Sequence, residues 1–168
     1  IYLTDIMYNP QIISKAGVIL ASYFKSMDVD YVVTVETKGI PLAYEVAKSL
    51  GIELVIIRRE NKVTEGPTVS INYLSGTSGR IQQMSLAKKS MKPSSRCVFI
   101  DDFLRGGGTA QGITDLLKEF DSELVGTGVL VDNIGVVNKR VTDYVSIIDV
   151  EHISEDGKIK VTPSSLIK

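Results

Sequence analysis

Apolar residues along this chain follow helical spacing in some segments and form short β-branched runs in others. Helical spacing predicts a helix over residues 12–27, a second opened by Pro41 and closed by Gly51, and a third carrying residues 113–120. The apolar residues at helical spacing in the first helix are Ile12, Ile13, Ala16, Ile19, Leu20, Tyr23 and Phe24. Continuous apolar runs predict strands at residues 31–35, 52–57, 96–100, 124–131 and 144–150. This alternation predicts an α/β fold with a mainly parallel central sheet flanked by helices.

One long segment, residues 58–93, interrupts the alternation. It holds a polar linker, a β-like run over residues 68–73, a Ser- and Gly-rich turn over residues 75–79, and an ambiguous stretch that ends at Met91. A connection of this length predicts a long hairpin or a mobile flap. A lid over a ligand site and a plain surface hairpin both fit this pattern.

Length and charge narrow the possibilities further. The 168 residues suit one domain, and a formal net charge of −1 disfavours a free-standing nucleic-acid binder. No apolar run is long enough to predict a membrane span, and a single cysteine excludes an internal disulfide. We therefore expect a cytoplasmic protein without membrane association. Because the chain starts at Ile1 without an initiator Met, we also expect a processed protein or part of a longer one.

The segment with the most candidate ligand-binding residues follows the apolar run at residues 96–100. Asp101 and Asp102 come at the predicted end of that strand, and a Gly-rich turn at residues 105–108 leads to Thr109 and a helix. Glycine N–H groups and a helix N-terminus suit a phosphate, whereas two carboxylates suit hydroxyl groups or a ligand-borne Mg²⁺. A phosphate beside a diol describes a ribose 5-phosphate. The alternative is that the acidic pair and the glycines only shape a turn.

Other reactive residues give weaker signals. His152, the single histidine, favours a surface or packing role, and Cys97 in an apolar run favours the core. No Ser–His or Cys–His pairing predicts nucleophilic catalysis. Tyr73, on the predicted flap, fits either the ligand or the core, and Lys88 and Lys89 favour solvent.

The order of residues 99–109 is also a known signature. Phe-Ile-Asp-Asp, four residues and then Gly-Gly-Thr resembles the motif with which the type I phosphoribosyltransferase fold binds 5-phosphoribosyl 1-diphosphate (PRPP). Together with residues 37–43, 61–66, 70–73 and 84–88, this segment resembles the purine operon repressors of Gram-positive bacteria. The resemblance covers essentially the whole chain, and implies one phosphoribosyltransferase-like effector domain over residues 1–168.

The resemblance implies a role for each site residue. Asp101 and Asp102 would bind the ribose hydroxyls, and residues 37–39 would bind the diphosphate, which would carry Mg²⁺ with no direct protein ligand. The residues implied at the 5-phosphate are Arg105, Gly106, Gly107, Gly108 and Thr109. Those implied at the diphosphate are Thr37, Lys38 and Gly39.

Three further positions keep two interpretations each. Arg59 and Lys62 fit additional diphosphate contacts or a solvated charge run, and Phe103 fits a stacking platform for a base or a core residue. Gly106 stands where enzymes of this fold often carry a hydroxyl residue, which removes a side-chain donor and disfavours catalysis more than binding.

The implied function is an effector domain without catalysis. PRPP would act as the inducer that releases operator DNA, and the family's N-terminal winged-helix domain would lie outside this chain. The resemblance also implies a homodimer, and the site chemistry suggests that guanosine tetraphosphate competes with PRPP. The alternative is a purine phosphoribosyltransferase that uses PRPP and Mg²⁺. A domain that kept the fold but lost its ligand is disfavoured because the acidic pair and the Gly-Gly-Thr element are intact.

Overall fold

The computed structural model describes residues 4–60, 66–75, 78–153 and 159–167. Its helices are α1 Thr4–Met7, α2 Pro10–Phe24, α3 Ile40–Leu50 and α4 Gly108–Lys118, with a short 3₁₀ turn at Lys88–Ser90. Its strands are β1 Tyr31–Val35, β2 Glu53–Ile57, β3 Thr68–Leu74, β4 Ile81–Ala87, β5 Arg96–Leu104, β6 Glu123–Asn133, β7 Tyr144–Ile153 and β8 Ile159–Pro163.

A six-stranded sheet in the order β2-β1-β5-β6-β7-β8 forms the centre of the molecule. All its neighbours pair in parallel except β7 and β8, which confirms the predicted mainly parallel sheet. From β1 the chain passes through α3 to β2 on one side, and from β5 it passes through α4 to β6 on the other. The carboxyl ends of β1 and β5 therefore form the switch point where open α/β sheets bind ligands.

Helices α2 and α3 cover one face of the sheet. They approach closely at Gly17, where a Cβ atom would lie 2.5 Å from the Glu45 Cβ. Ile12 and Tyr23, which share the helical spacing of the apolar residues in α2, stay 43% and 42% exposed. A helix packed on one side buries a limited arc of its surface, and in α2 another set of residues occupies it. That set is Ile13, Ala16, Gly17, Leu20, Ala21 and Phe24.

Helix α4 and the antiparallel hairpin β3–β4 cover the opposite face. The hairpin packs on α4 at Gly112, where a Cβ would meet the Tyr73 Cβ at 2.8 Å and the Met84 Cε at 2.9 Å. Met84 is fully buried and Tyr73 is 6% exposed. The predicted hairpin is therefore present, and Tyr73, next to its turn, belongs to the core together with Met84.

Three elements differ from the sequence-based prediction. Strand β5 continues four residues beyond Ile100 to Leu104, because β6 goes on pairing with it through Asp101–Val129, Phe103–Val131 and Leu104–Asp132. The short helix α1 and the edge strand β8 were not predicted. Within the described residues, no helix is long and apolar enough to cross a membrane.

Candidate ligand-binding site

Two loops meet at the carboxyl ends of β1 and β5. One comprises residues 36–39 and leads into α3; the other comprises residues 105–107 and leads into α4. A Cβ atom on Gly39 would lie 2.7 Å from the Thr34 Oγ1 and 2.9 Å from the Asp101 Oδ1. Glycine thus allows the first loop to contact the acidic pair directly. The residues predicted to bind the diphosphate and those predicted to bind the ribose are therefore neighbours in the fold.

The acidic pair lies within β5 rather than just after it. The Asp102 backbone N–H donates to the Asp101 Oδ1 at 2.9 Å, and both side chains are partly exposed. Burial raises the pKa of Asp101 well above its usual value, and the neighbouring Asp102 carboxylate raises it further. Two carboxylates at such an edge can accept hydrogen bonds from vicinal hydroxyl groups, or face a cation carried by a ligand.

The loop after β5 is shaped by its own backbone. Gly107 has a φ of +74°, and its carbonyl accepts from the Gln111 N–H at 3.0 Å, which is the first turn of α4. This turn brings the N–H groups of the following residues to the helix N-terminus, an arrangement that suits a phosphate. A small pocket at this position is lined by Phe99, Asp101, Phe103, Leu104, residues 105–109, Ala110 and Val129.

A second segment forms a wall behind this loop. The Arg140 N–H donates to the Gly106 carbonyl at 3.0 Å, and a Cβ atom on Gly107 would lie 2.8 Å from the Val141 Cγ1. Both residues belong to the connection between β6 and β7, residues 134–143, which we call the crossover loop. The phosphate loop therefore combines local glycine geometry with support from the crossover loop.

The loop after β1 is held differently. Thr37 and Lys38 are exposed, whereas Gly39 is buried and its carbonyl accepts from the Ala43 N–H at 2.9 Å in the first turn of α3. The Thr34 hydroxyl, on the preceding strand, donates to the Ile100 carbonyl at 2.8 Å and ties β1 to β5. Within the described residues the Lys38 ammonium makes no hydrogen bond or ion pair, so its charge is available to a ligand.

Arg59 lies beside this loop and also supports it. Its Nε donates to the Glu36 carbonyl at 2.9 Å, and its backbone N–H donates to the Glu36 Oε1 at 2.7 Å. Arg59 is therefore adjacent to the predicted diphosphate loop, as a contact there requires. Lys62, predicted with it, lies outside the described residues.

Two more predicted site residues have clear positions. Phe103 is partly exposed, packs against the core formed with α2 and α3, and also lines the pocket at the phosphate loop. Arg105 is exposed and has no side-chain partner within the described part of the chain. The structure thus gives Phe103 a packing role and leaves Arg105 free to meet an anion.

Sequence reasoning missed one buried polar cluster next to the phosphate loop. Lys139 pairs with Asp132 and donates to the Tyr144 hydroxyl at 3.0 Å, and that hydroxyl donates to the Asp132 Oδ2 at 2.9 Å. The side chains of Lys139 and Asp132 are only 9% and 2% exposed. A carboxylate within the apolar run of β6 was the available signal, because a buried charge requires a partner. The cluster fixes the crossover loop to the sheet.

The comparison with known families agrees with this arrangement. Residues 3–162 match the family described as the phosphoribosyl transferase domain. This chain belongs to that family. As a phosphoribosyl transferase domain, it also shares its fold with a solved adenine phosphoribosyltransferase from Giardia lamblia complexed with 9-deazaadenine. The TM-score is 0.78 at 21% identity, over 89% of this chain and 86% of that one.

Two relatives that match most of this phosphoribosyl transferase domain are named as regulators. It is 51% identical over 158 residues to the purine biosynthesis transcriptional repressor PurR of Bacillus subtilis (strain 168), covering 94% of this chain and 55% of that protein. It is 41% identical over 153 residues to the purine biosynthesis transcriptional activator PurR of Lactococcus lactis subsp. lactis (strain IL1403), covering 91% and 56%. The chain thus spans about half the length of these curated relatives.

Proposed function

We propose that this chain is the effector-binding portion of a cytoplasmic purine operon repressor and that it senses PRPP without turning it over. The observation that carries the proposal is the contact between the loop at residues 36–39 and the acidic pair, in which Gly39 lies against Asp101. A ligand with a ribose, a 5-phosphate and a 1-diphosphate needs an acidic pair between two anion-binding loops. The names of the relatives supply the regulatory context.

Each part of PRPP has a chemical counterpart in the site. Asp101 and Asp102 would accept hydrogen bonds from the ribose hydroxyls, and the N–H groups of residues 105–109 would hold the 5-phosphate at the N-terminus of α4. Residues 37–39 would hold the diphosphate, with the Lys38 ammonium neutralising part of its charge. No direct coordination of Mg²⁺ by the protein is proposed, because the cation would arrive bound to the diphosphate.

The donor set fits Mg²⁺ carried in this way. Mg²⁺ in proteins is usually held by one or two carboxylates together with phosphate oxygens and water. Asp101 and Asp102 lie at the edge where the diphosphate would lie, so their carboxyl groups would face a cation that keeps diphosphate oxygens and water as its ligands. Mg²⁺ would neutralise the diphosphate next to this pair.

Repression and its release require more than this chain. In the proposal, the longer protein forms a homodimer, which binds operator DNA through a winged-helix domain and releases it when PRPP occupies the site.

The higher identity to the repressor than to the activator, 51% against 41%, supports negative control. A fluorescence anisotropy titration of the full-length protein on operator DNA tests this: added PRPP should raise the apparent Kd, and tighter binding would favour an activator.

The second candidate function is a purine phosphoribosyltransferase, which the intact acidic pair and the shared fold favour. Phosphorus NMR of this chain with PRPP and Mg²⁺, with and without purine bases, separates the two. A sensor should shift or broaden the PRPP signals and leave the molecule intact with every base. Free diphosphate that appears only when a base is present would establish an enzyme.

The site assignment has its own test. The variant Asp101→Ala/Asp102→Ala should remain folded and lose PRPP binding in isothermal titration calorimetry, and unchanged affinity would refute the assignment.

Guanosine tetraphosphate carries two diphosphates, so we propose that it uses the same two loops. In a competition titration it should displace PRPP, whereas additive binding would refute a shared site.

A further inference from the structure

Three side chains from different elements form a chain of hydrogen bonds beside the loop at residues 36–39. The Tyr73 hydroxyl on β3 donates to the Gln82 Oε1 on β4 at 2.9 Å, and the Arg59 NH1 donates to the same oxygen at 3.3 Å. The Arg59 Nε donates to the Glu36 carbonyl at 2.9 Å. A side-chain amide oxygen has two lone pairs, and Tyr73 and Arg59 together use both.

This arrangement fixes the guanidinium plane of Arg59. Its two ends are tied to different parts of the fold, NH1 to the hairpin and Nε to the peptide group that precedes Thr37. NH2 has no partner within the described residues, and the Arg59 side chain is exposed. A planar guanidinium held in this way keeps one donor group beside the loop at residues 36–39, where it can meet phosphate oxygens.

Tyr73 is a rigid support for this chain of hydrogen bonds. Its ring packs against Gly112 of α4 and is 6% exposed, so its hydroxyl has a fixed position. Burial raises the pKa of Tyr73 and the nearby Arg59 cation opposes this, which is consistent with a neutral phenol that donates to Gln82. The position of Arg59 therefore depends on how β3 and β4 pair, because Tyr73 and Gln82 stand opposite each other in that ladder.

We infer that Gln82 and Tyr73 are positioning residues which, by orienting Arg59, set the preference of this site for ligands that carry a diphosphate over ligands that carry only a 5-phosphate. The inference rests on the proposed function, because it concerns selectivity at that same site. It assigns the hairpin a role in recognition through one pair of facing residues next to its turn, without requiring that pair to touch the ligand.

The test compares PRPP with ribose 5-phosphate, which lacks the diphosphate. Dissociation constants for both ligands, with Mg²⁺, are measured by isothermal titration calorimetry for the wild-type chain, Gln82→Met and Tyr73→Phe. Gln82→Met keeps the length of the side chain but removes its acceptor. It should weaken PRPP about tenfold, the scale of one hydrogen bond to a charged group, and leave ribose 5-phosphate within about twofold. Tyr73→Phe should act in the same direction and less strongly.

Two controls separate positioning from a general loss of structure. Gln83→Met changes the exposed neighbour on the same strand, which makes no side-chain hydrogen bond within the described residues, and should leave both ligands unaffected. Adding Gln82→Met to Arg59→Met should cause no further loss, because Gln82 acts through Arg59.

The contrary outcomes separate a failure of this inference from a failure of the proposed function. Equal weakening of both ligands by Gln82→Met, unchanged selectivity in both hairpin variants, or a full additional loss in the Arg59→Met background would overturn the inference alone. A wild-type chain that binds neither ligand would overturn the proposed function and the inference with it.

Discussion

The two anion-binding loops of this site are built in contrasting ways. The phosphate loop at residues 105–109 obtains its turn from a left-handed Gly107 and the start of α4, and the crossover loop supports it from behind. The loop at residues 36–39 contains no left-handed residue and is held by groups distant in sequence. Glu36 is bound by Arg59, and Gly39 lies against Thr34 and Asp101. A loop of the first kind can be recognised from a short motif, whereas one of the second kind depends on the assembled fold.

The largest expected effect concerns the wall behind the phosphate loop. Lys139→Met should lower the free energy of unfolding by about 3–5 kcal/mol, because it leaves the buried Asp132 carboxylate without its cation. Urea denaturation measures the loss, and adding Asp132→Leu should recover most of it. The matched control is Lys160→Met, whose pair with Glu151 is exposed and should cost less than about 1 kcal/mol. Equal losses of unfolding free energy in Lys139→Met and Lys160→Met would show that the buried pair adds no particular stability to the crossover loop.

A substitution at Gly107 should sharpen the comparison. Gly107→Ala meets both a φ of +74° and a contact of 2.8 Å with Val141, so it should cost about 1–3 kcal/mol and weaken ribose 5-phosphate. Gly51→Ala is the control, since its φ of +71° is similar and no atom lies within 4 Å. Its cost in thermal denaturation should be about 1 kcal/mol. If Gly107→Ala costs no more than Gly51→Ala, the Val141 wall does not constrain the loop.

A smaller, ligand-specific effect is expected at the other loop. Lys38→Ala should weaken PRPP about tenfold and leave ribose 5-phosphate unchanged, because only PRPP brings a diphosphate to this ammonium. Lys118→Ala, on the exposed end of α4, should change neither affinity. Calorimetric titration of both ligands provides the measurement. Equal losses of affinity for the two ligands would contradict the proposal that one loop binds the diphosphate and the other binds the 5-phosphate.

The smallest effect concerns stability and pH. Because the pKa of Asp101 is raised in the folded state, the native protein holds this proton more tightly than the unfolded chain, and stability falls as pH rises through the native pKa. Asp101→Asn removes that cost and should stabilise the fold by about 1 kcal/mol at neutral pH, or roughly 2–4 °C in Tm. The gain should vanish in acid, below the usual pKa of an aspartate. Asp115→Asn, an exposed control, should show no such gain.

Much of the fold followed from periodicity, and the exceptions have physical causes. The parallel strands and α3 were predicted because buried apolar runs and a Pro–Gly frame are local signals. The extent of β5 was not, because Asp101 and Asp102 break the apolar run while β6 keeps pairing with them. The period alone did not tell which side of α2 is exposed, since Ile12 and Tyr23 fit the helical period but lie outside the buried arc.

The residues of the site also separate into those that a local sequence motif predicts and those that depend on the assembled fold. The acidic pair and the glycines could be predicted because their chemistry is contiguous. The hydrogen bonds that Gln82 accepts from Arg59 and Tyr73 could not, since they join residues up to 23 positions apart. The Lys139–Asp132–Tyr144 cluster combines a strand, a loop and another strand. The sequence could therefore indicate that Asp132 needs a partner, but not which residue the partner is.

One small contact has a consequence for the kinetics of local opening. Arg58 and Ser85 exchange reciprocal backbone hydrogen bonds of 2.9 and 2.8 Å, which join edge strand β2 to the hairpin strand β4. A hairpin that detached from the sheet would break both bonds at once. In native-state hydrogen exchange, the amides of Arg58 and Ser85 should therefore show matched protection factors, and bound ligand should raise both together.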